Sequence, residues 1–320
     1  MNRFKNILYV LNDQLKEPSA SLIRAISLTK NNQADLTLLY VLPTLSLSTH
    51  SKEVGIDEEK IQKNIVAHEE ANLFQLTASL DKEIKAKSEL RVGKKYIEII
   101  RTVLANNFDL VVKEIGEFSW LDRFIGSDDM HLLRKCPCAV WLMKKNEKPD
   151  YDHIMAAVDF ETDYDEACND ELNDMIVDLA SSLSLSDFAS LHVVNAYDVP
   201  QAGFISLWVE EPDKVERELF ESEYRLRKYK MNSLFNRLKQ RLGEESYNYL
   251  SPRSHIVQGI PGREIPKVAT NIKADLVVMG TVARTGIAGV VIGNTAETVL
   301  SQLQCSVLAI KPKGFASPVS

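Results

Sequence analysis

Residues 274–280 read Ala-Asp-Leu-Val-Val-Met-Gly, and residues 108–114 read Phe-Asp-Leu-Val-Val-Lys-Glu. The shared Asp-Leu-Val-Val core recurs at an offset of 166 residues. Further identical pairs follow in the same order, at that offset or at one residue more: Gly93 and Gly259, Glu98 and Glu264, Gly126 and Gly293, and Cys138 and Cys305. Chance does not readily supply all of these matches in order. We therefore interpret the 320-residue chain as a tandem duplication, with domains over residues 1–147 and 148–320.

Each half alternates short apolar runs with helical patterns. In the second half, strands are predicted at residues 154–158, 189–194, 254–257, 276–279 and 306–310, and helices at residues 167–183, 212–242, 263–271 and from residue 295. Strands that alternate with helices form parallel β-α-β units. The pattern therefore predicts the α/β class, with a layered parallel sheet in each half.

The composition favours some classes of protein and excludes others. Apolar residues make up 45% and charged residues 26% of the chain, as in soluble globular proteins. A net charge of −7 argues against a broad nucleic-acid surface, which leaves a basic footprint. No apolar run approaches the ~20 residues that span a bilayer, and the first residues lack a signal-peptide pattern. The four cysteines show no disulfide spacing, so we expect a cytoplasmic protein with reduced thiols.

A candidate ligand site follows from the predicted sheet. Ligands of open parallel sheets bind beyond the carboxyl ends of the strands, where the strand order reverses. In the second half this rule selects Asp159, then Val194 and Asn195, and then the loop that begins at Gly280. Glycines let backbone N–H groups approach an anion, and a helix that starts near residues 293–295 attracts phosphate. The segment therefore predicts a phosphate site, to which Arg284 adds a positive charge.

The spacing of this loop carries a family resemblance. Gly280-x2-Ala283-x9-Gly293-Asn294 resembles the Gly-x2-Gly-x9-Gly-Ser/Thr signature of the universal stress protein family, which in that family wraps the phosphates of ATP. The wording of the loop, and of residues 131–137 in the first half, is similar to the tandem, E-type members of that family. The resemblance covers essentially the whole chain.

The resemblance implies two Rossmann-like domains of the adenine nucleotide α-hydrolase type. Each would have a five-stranded parallel sheet flanked by helices, and the halves would pack as a pseudo-dimer in a chain able to form homodimers. It also implies that the second half binds ATP, with Mg, while no dedicated metal site is expected. The nucleotide-binding residues would be Asp159, Val194, Asn195, Gly280, Ala283, Arg284, Gly293, Asn294 and Thr295.

Two positions depart from the signature. Ala283 stands at the second glycine, and a left-handed backbone there would cost alanine about 1–2 kcal/mol. Asn294 replaces serine or threonine but keeps a hydrogen-bonding side chain. The first half departs further, because Glu114 stands in place of Gly280, Asn12 in place of Asp159, and two carboxylates follow Gly126-Ser127. Carboxylates at a helix N-terminus repel phosphate, so we interpret the first half as a degenerate copy.

Structural alternatives exist for several of these features. Residues 294–297 also form a capping-box pattern, Asp159 could begin a turn, and Arg284 could be a solvated loop charge. Residues 203–208 are interpreted as an apolar cover over the core. Cys136-Pro-Cys138 with His131 suggests a metal or redox site, but the spacing matches no zinc pattern, so a buried apolar thiol is favoured at Cys138.

The resulting hypothesis is a stress-response regulatory protein that binds an adenine nucleotide in its second half. No Walker lysine loop, Gly-x-Ser-x-Gly elbow or paired acid motif is present, so we expect no dedicated enzyme, although slow incidental ATP hydrolysis is compatible with the site. The alternative is a nucleotide-free scaffold, or a carrier of an apolar small molecule held between the halves or under residues 204–208.

Overall fold

The structure, a computed structural model, describes residues 4–12, 17–46, 57–80, 84–115, 128–160, 166–281 and 292–319. The chain forms two compact units whose main division falls between Pro149 and Asp150, and residues 315–319 belong to the first unit. None of the helices in these ranges is long and apolar enough to cross a membrane.

The first half is an α/β unit of alternating strands and helices. Its elements are β1 (Asn6–Val10), α1 (Ala20–Asn32), β2 (Asp35–Leu42), α2 (Glu58–Ser79), β3 (Lys87–Val92), α3 (Lys95–Asn106), β4 (Leu110–Glu114), α4 (Asp128–Lys135) and β5 (Ala139–Met143). The strands are parallel and lie in the order β3-β2-β1-β4-β5.

The second half repeats this arrangement with a longer helical layer. Its elements are β6 (His153–Ala157), α5 (Glu166–Asp187), β7 (Ser190–Tyr197), α6 (Pro200–Ser206), α7 (Pro212–Leu242), α8 (Glu244–Leu250), β8 (Arg253–Gln258), α9 (Pro261–Asn271), β9 (Leu276–Gly280), α10 (Asn294–Gln302) and β10 (Ser306–Ile310). Its parallel strands lie in the order β8-β7-β6-β9-β10. The predicted fold class is therefore confirmed, with five parallel strands in each half.

Burial along the strands explains this layering. In β9, the residues from Leu276 to Met279 are all buried, as expected for a strand covered on both faces. No residue of the edge strands β3 and β8 is fully buried. The mixed runs of the sequence therefore mark the outer strand on one side of each half, β3 or β8, and the apolar runs mark the other strands.

The aspartate of the repeated Asp-Leu-Val-Val core has a structural role at the base of each sheet. Asp109 accepts hydrogen bonds from the backbone N–H groups of Lys5 (2.7 Å) and Asn6 (3.2 Å). Asp275 accepts the matching bonds from Asp152 (2.8 Å) and His153 (3.1 Å). Each carboxylate therefore joins the loop before its own strand to the first strand of its half.

One element of the second half differs from the prediction. Residues 203–208, which we interpreted as a cover over the core, instead contribute to α6 and the turn that follows it. The side chains of Phe204 and Trp208 are 65% and 77% exposed, so they do not cover the core. The interpretation was wrong because an apolar run without helical periodicity does not show which side of a helix faces the protein.

Candidate functional site

The candidate site lies at the end of the second sheet where its parallel strands have their carboxyl ends, which we call the carboxyl edge. Strand β6 lies between β7 and β9, and Ala157 is in register with both Val194 and Met279. The chain passes from β6 to β7 on one side and returns later to β9 on the other, so the strand order reverses beside β6. Asp159, Asn195 and Gly280 each lie at this edge, just beyond those registered residues. The predicted residues from three separate segments are therefore brought together.

Helix α5 fixes the backbone of Asp159. The amide group of Asn173, a buried residue, accepts a hydrogen bond from Asp159 N (3.0 Å) and donates one to Asp159 O (2.6 Å). Asp159 itself is exposed. The backbone is thus anchored, and the residue is exposed at the edge of the sheet. The sequence reasoning missed Asn173, which is a polar residue on the buried face of an amphipathic helix.

Asn195 presents an unusual buried polar group. Only 1% of the residue is exposed, and its Nδ2 donates to Val158 O at 3.0 Å. Its Oδ1 is buried and has no hydrogen-bond partner among the described residues. A buried acceptor without a partner costs about 1–3 kcal/mol, so it marks a position where a donor from outside the fold would be stabilising.

Val194 takes a different part from Asn195. Its side chain is fully buried, and its carbonyl accepts a hydrogen bond from Val158 N at 2.9 Å. The residue therefore joins β7 to the segment that leads into Asp159. Its contribution to a site is to position Asn195 and Asp159.

Gly280 has a packing reason as well as a place at this edge. A Cβ atom there would lie 3.0 Å from Leu172 Cδ2 and 3.8 Å from Ile176 Cδ1, both on α5. Its φ does not lie in the left-handed region, unlike that of Gly259 (φ 132°). The glycine therefore allows α5 to pack closely on the end of β9, a role that the phosphate-loop interpretation did not include.

Helix α10 begins at this edge without a side-chain cap. Gly293 is the N-cap residue, with φ −63° and ψ 141°, and no side chain accepts a hydrogen bond from the first turn. Glu297 N donates to Gly293 O (2.9 Å), and Gly293 N donates to Thr281 O (3.2 Å). The capping-box alternative, with Asn294 as the cap, is therefore wrong, because the helix starts one residue earlier.

The start of α10 is open to solvent. Asn294 and Thr295 are exposed. The N-cap glycine has no side-chain oxygen that could accept hydrogen bonds from the first N–H groups of the helix. This arrangement suits an anion. Ala283 and Arg284 lie outside the described residues.

A buried lysine adds positive charge at the start of the loop. Lys311 follows β10, is 5% exposed, and donates from Nζ to Thr281 Oγ1 at 2.8 Å. Thr281 is the residue after Gly280, so the ammonium group lies beside the point where the loop leaves the sheet. The sequence reasoning missed Lys311, although a lysine directly after a buried strand at the carboxyl edge was a usable signal.

The first half fills the corresponding edge with its own side chains. Glu114 is buried and accepts a hydrogen bond from Ser21 Oγ at 2.6 Å. Lys113 is also buried and forms an ion pair with Asp129 of α4 (Nζ to Oδ1, 2.7 Å). Asn12 donates from Nδ2 to Glu114 O at 3.3 Å. These contacts occupy the edge with the side chains of the first half itself.

Both halves of the chain match the same known protein family. The Universal stress protein family matches residues 3–144 and, separately, residues 150–311. The chain belongs to the universal stress protein family. Family membership is thus shown for both halves, and the tandem architecture read from the repeat accords with it.

Relatives of this universal stress protein span its full length. Universal stress protein E of Photorhabdus laumondii is 29% identical over 332 residues, covering 100% of this chain and 98% of the relative. The Universal stress protein E homolog of Haemophilus influenzae is 32% identical over 321 residues, covering 97% and 98%. The E-type resemblance is therefore confirmed.

Solved structures support the same fold. A functionally unknown protein from Pseudomonas aeruginosa has a TM-score of 0.65 and 25% identity, covering 98% of this chain and 95% of the other. A universal stress protein from Archaeoglobus fulgidus, at 15% identity and a TM-score of 0.56, covers 97% of this chain and 99% of the other. The second likeness concerns the fold alone.

Proposed function

We propose that this universal stress protein is a regulatory, cytoplasmic stress-response protein that binds an adenine nucleotide, ATP with Mg, in its second half. The observation that carries the proposal is the pairing of two unfilled features at one edge: the partnerless Oδ1 of buried Asn195 and the uncapped start of α10. One suits a nucleoside donor and the other suits phosphate. The residues present therefore fit a nucleotide.

Each residue has a distinct part in this proposal. The exposed carboxylate of Asp159 would accept hydrogen bonds from ribose hydroxyl groups, and Asn195 Oδ1 would accept one from an adenine amino group. The N–H groups of Asn294 and Thr295, together with the end of β9 at Gly280, would hold phosphate oxygens. Arg284 and the backbone at Ala283 complete the proposed phosphate contacts.

Lys311 would add positive charge to the phosphate side of the proposed site. Its buried ammonium group, bonded to Thr281, raises the positive potential at the origin of the loop. A positive charge at this place would attract the triphosphate before any direct contact. Arg284 would then act at closer range.

We propose binding without dedicated catalysis. At this edge Lys311 Nζ donates to the hydroxyl of Thr281, so that hydroxyl accepts from an amine instead of giving its proton to a base. Bound nucleotide would then act by stabilising one arrangement of the loop, because a ligand shifts a population by its differential affinity. Slow hydrolysis would be incidental.

Calorimetric titration with Mg-ATP tests the proposal. We expect a single site of micromolar affinity, about −8 kcal/mol, in the native protein. Gly293→Asp should abolish the heat, because a carboxylate at the N-cap occupies the N–H groups and repels phosphate. The matched control is Gly126→Asp, at the paired position of the first half, which should retain the native affinity.

Two results of the titration would contradict the proposal. Equal loss in both variants would remove the helix start of the second half from the site. No heat in the native protein, with no nucleotide released on denaturation, would favour the nucleotide-free alternative. The exposed side chains of Phe204, Leu207 and Trp208 would then be the surface to examine for an apolar ligand or a scaffold contact.

A further inference from the structure

Two thiols of the first half lie side by side. The Sγ atoms of Cys136 and Cys138 are 3.6 Å apart, at hydrogen-bonding distance for sulfur, and neither residue is in a disulfide. Cys136 follows α4 and is buried, and its N–H donates to Leu132 O at 2.9 Å. Cys138 is partly exposed and directly precedes β5. A helix end and a strand start therefore hold the two thiols from either side.

The residue between the thiols limits their movement. Pro137 has a fixed φ and cannot donate a hydrogen bond, so the short link has few alternative conformations. The sulfur positions are thus set by α4, Pro137 and β5 together. A ligand that needs two sulfurs at this separation would bind without an ordering cost.

The separation of the sulfurs restricts the chemistry of the ligand. In a tetrahedral site with metal–sulfur bonds of about 2.3 Å, two sulfurs lie about 3.8 Å apart, and across a linear ion they lie about 4.6 Å apart. The observed 3.6 Å is about 1 Å shorter than a linear ion needs, so such an ion would require the two sulfurs to move apart. A pyramidal trivalent centre holds its sulfurs at a narrower angle than a tetrahedral ion, so it suits a separation below the tetrahedral value.

The number of ligands gives a second restriction. No group of three histidine, cysteine, aspartate or glutamate residues that could hold a metal ion occurs in the part of the chain that the structure describes. His131, which the sequence placed near the thiols, stacks on Tyr96 with ring centroids 4.4 Å apart. Structural zinc takes four protein ligands, so a dithiol alone does not suit it.

We propose that Cys136 and Cys138 form a dithiol site for trivalent arsenicals, with arsenous acid, As(OH)₃, as the inorganic ligand. The pair condenses with the arsenic atom, which two sulfurs at this separation chelate. The site lies in the half that we interpret as unable to bind nucleotide, and it is independent of the nucleotide proposal.

The reaction balances without an oxidant. Two S–As bonds form and two As–O bonds break, and each thiol proton leaves with one hydroxyl group as water. The products are the cyclic dithiolate of AsOH and two water molecules. Arsenic stays trivalent throughout, and no sulfur is oxidised.

The surroundings of the pair agree with a neutral ligand. The hydrogen bond with Cys136 and burial both raise the pKa of the Cys138 thiol well above its usual value. Protonated thiols react slowly with peroxides, because the thiolate is the nucleophile in that oxidation. Condensation with neutral As(OH)₃ brings no charge into this surrounding.

The second half supplies an internal control. Cys305 stands at the position of Cys138, before β10, and is buried. Leu303 stands at the position of Cys136, so this half has no second thiol there. A reagent that needs two thiols should therefore distinguish the two halves of one chain.

The test is intact-mass spectrometry of the full chain, kept reduced with a phosphine and treated with phenylarsine oxide. That reagent binds two thiols with loss of a single water. We expect one adduct per chain, lost in Cys136→Ser and in Cys138→Ser, and retained in Cys305→Ser and Cys168→Ser. Excess monothiol should leave the adduct in place, and 2,3-dimercaptopropanol should remove it.

A measurement on the native protein guards against unfolding of the variants. After treatment with the arsenical, the protein is denatured and alkylated, and its peptides are mapped. Cys136 and Cys138 should be protected together, while Cys168 and Cys305 are alkylated. An adduct that persists in Cys138→Ser, protection of another cysteine, or no adduct in the native protein would overturn the proposal. Repetition with arsenite in place of phenylarsine oxide must give the same protected pair.

Discussion

Three histidines lie on neighbouring strands of the second sheet, one each on β6, β7 and β8. His192 Nδ1 lies 3.0 Å from His255 Nε2, and the two rings stack with centroids 5.2 Å apart. The ring of His153 meets that of His192 edge-on at 5.5 Å. Burial, followed by the neighbouring His255, His153 and Arg253, lowers the pKa of His192 to about 4. Burial, followed by Arg253, also lowers the pKa of His255.

These lowered pKa values predict a loss of stability in mild acid. A histidine with a pKa near 4 in the native state and about 6.5 when unfolded binds fewer protons in the native state between those values. Stability is therefore lost as the pH falls below about 6.5. For His192 alone, the loss in the free energy of unfolding is about 2 kcal/mol at pH 5. Urea unfolding of the full chain at pH 7 and pH 5 measures it.

A variant isolates the contribution of His192. His192→Gln should reduce the difference between the two pH values, whatever its effect on stability at pH 7. His68→Gln, on α2 of the first half, is the matched control and should leave the difference unchanged. The prediction fails if the native protein and His192→Gln lose the same free energy between pH 7 and pH 5.

At the scale of elements, a charged contact joins α5 to the long helix α7. Arg241 Nε donates to Asp178 Oδ1 at 2.8 Å, and Arg241 Nη1 lies 3.2 Å from Asp174 Oδ2. Arg237 Nε donates to Asp174 at 3.0 Å. These side chains are 13–31% exposed, so solvent screens them only in part. The shared carboxylate of Asp174 makes the contact a network rather than an isolated pair.

We predict that Arg241→Ala lowers the free energy of unfolding by about 1 kcal/mol, because it removes two partly buried carboxylate contacts. The control is Arg225→Ala on the same helix, where the pair with Glu221 is 3.7 Å long and well exposed. That control should change stability by less than about 0.5 kcal/mol. Urea unfolding at low and high salt measures the loss in the free energy of unfolding for each variant. High salt should reduce the difference between the two variants. Equal effects would show that burial does not distinguish the two pairs.

The elements also show how far sequence reasoning extends. Helix α7 was predicted at residues 212–242 and has those bounds. The prediction was possible because the helical pattern is long and a proline marks its first turn. The seven-residue helices α6 and α8 were missed, since so short a helix has too few turns to show a period. At the site, the edge of the sheet was predicted from topology. Asn173 and Lys311 were missed because their roles depend on contacts made across the fold.

At the scale of the whole molecule, two copies of one scaffold carry different chemistry. The second half keeps an uncapped helix start at its carboxyl edge, whereas the first half places Glu114 and Lys113 there. Among the described residues, paired thiols lie before the last strand of the first half, and the cluster of three histidines lies on strands of the second half. The common scaffold includes the aspartate of the repeated core, which accepts two backbone hydrogen bonds in each half.

Substitution of this aspartate in each half tests whether each copy acts only on the first strand of its own half. In Asp275→Ala the N–H groups of Asp152 and His153 lose their acceptor, and in Asp109→Ala those of Lys5 and Asn6 do. Both aspartates are only half-buried, so the loss of this acceptor should cost about 1 kcal/mol, and the amides of the first strand of the same half should exchange faster with deuterium. Hydrogen exchange followed by mass spectrometry should show acceleration in β6 for Asp275→Ala and in β1 for Asp109→Ala. Acceleration in both first strands from either variant would mean that the aspartates do not act within separate halves. No acceleration in either would mean that water replaces the lost carboxylate, and that the repeated aspartate is not what holds each first strand in place.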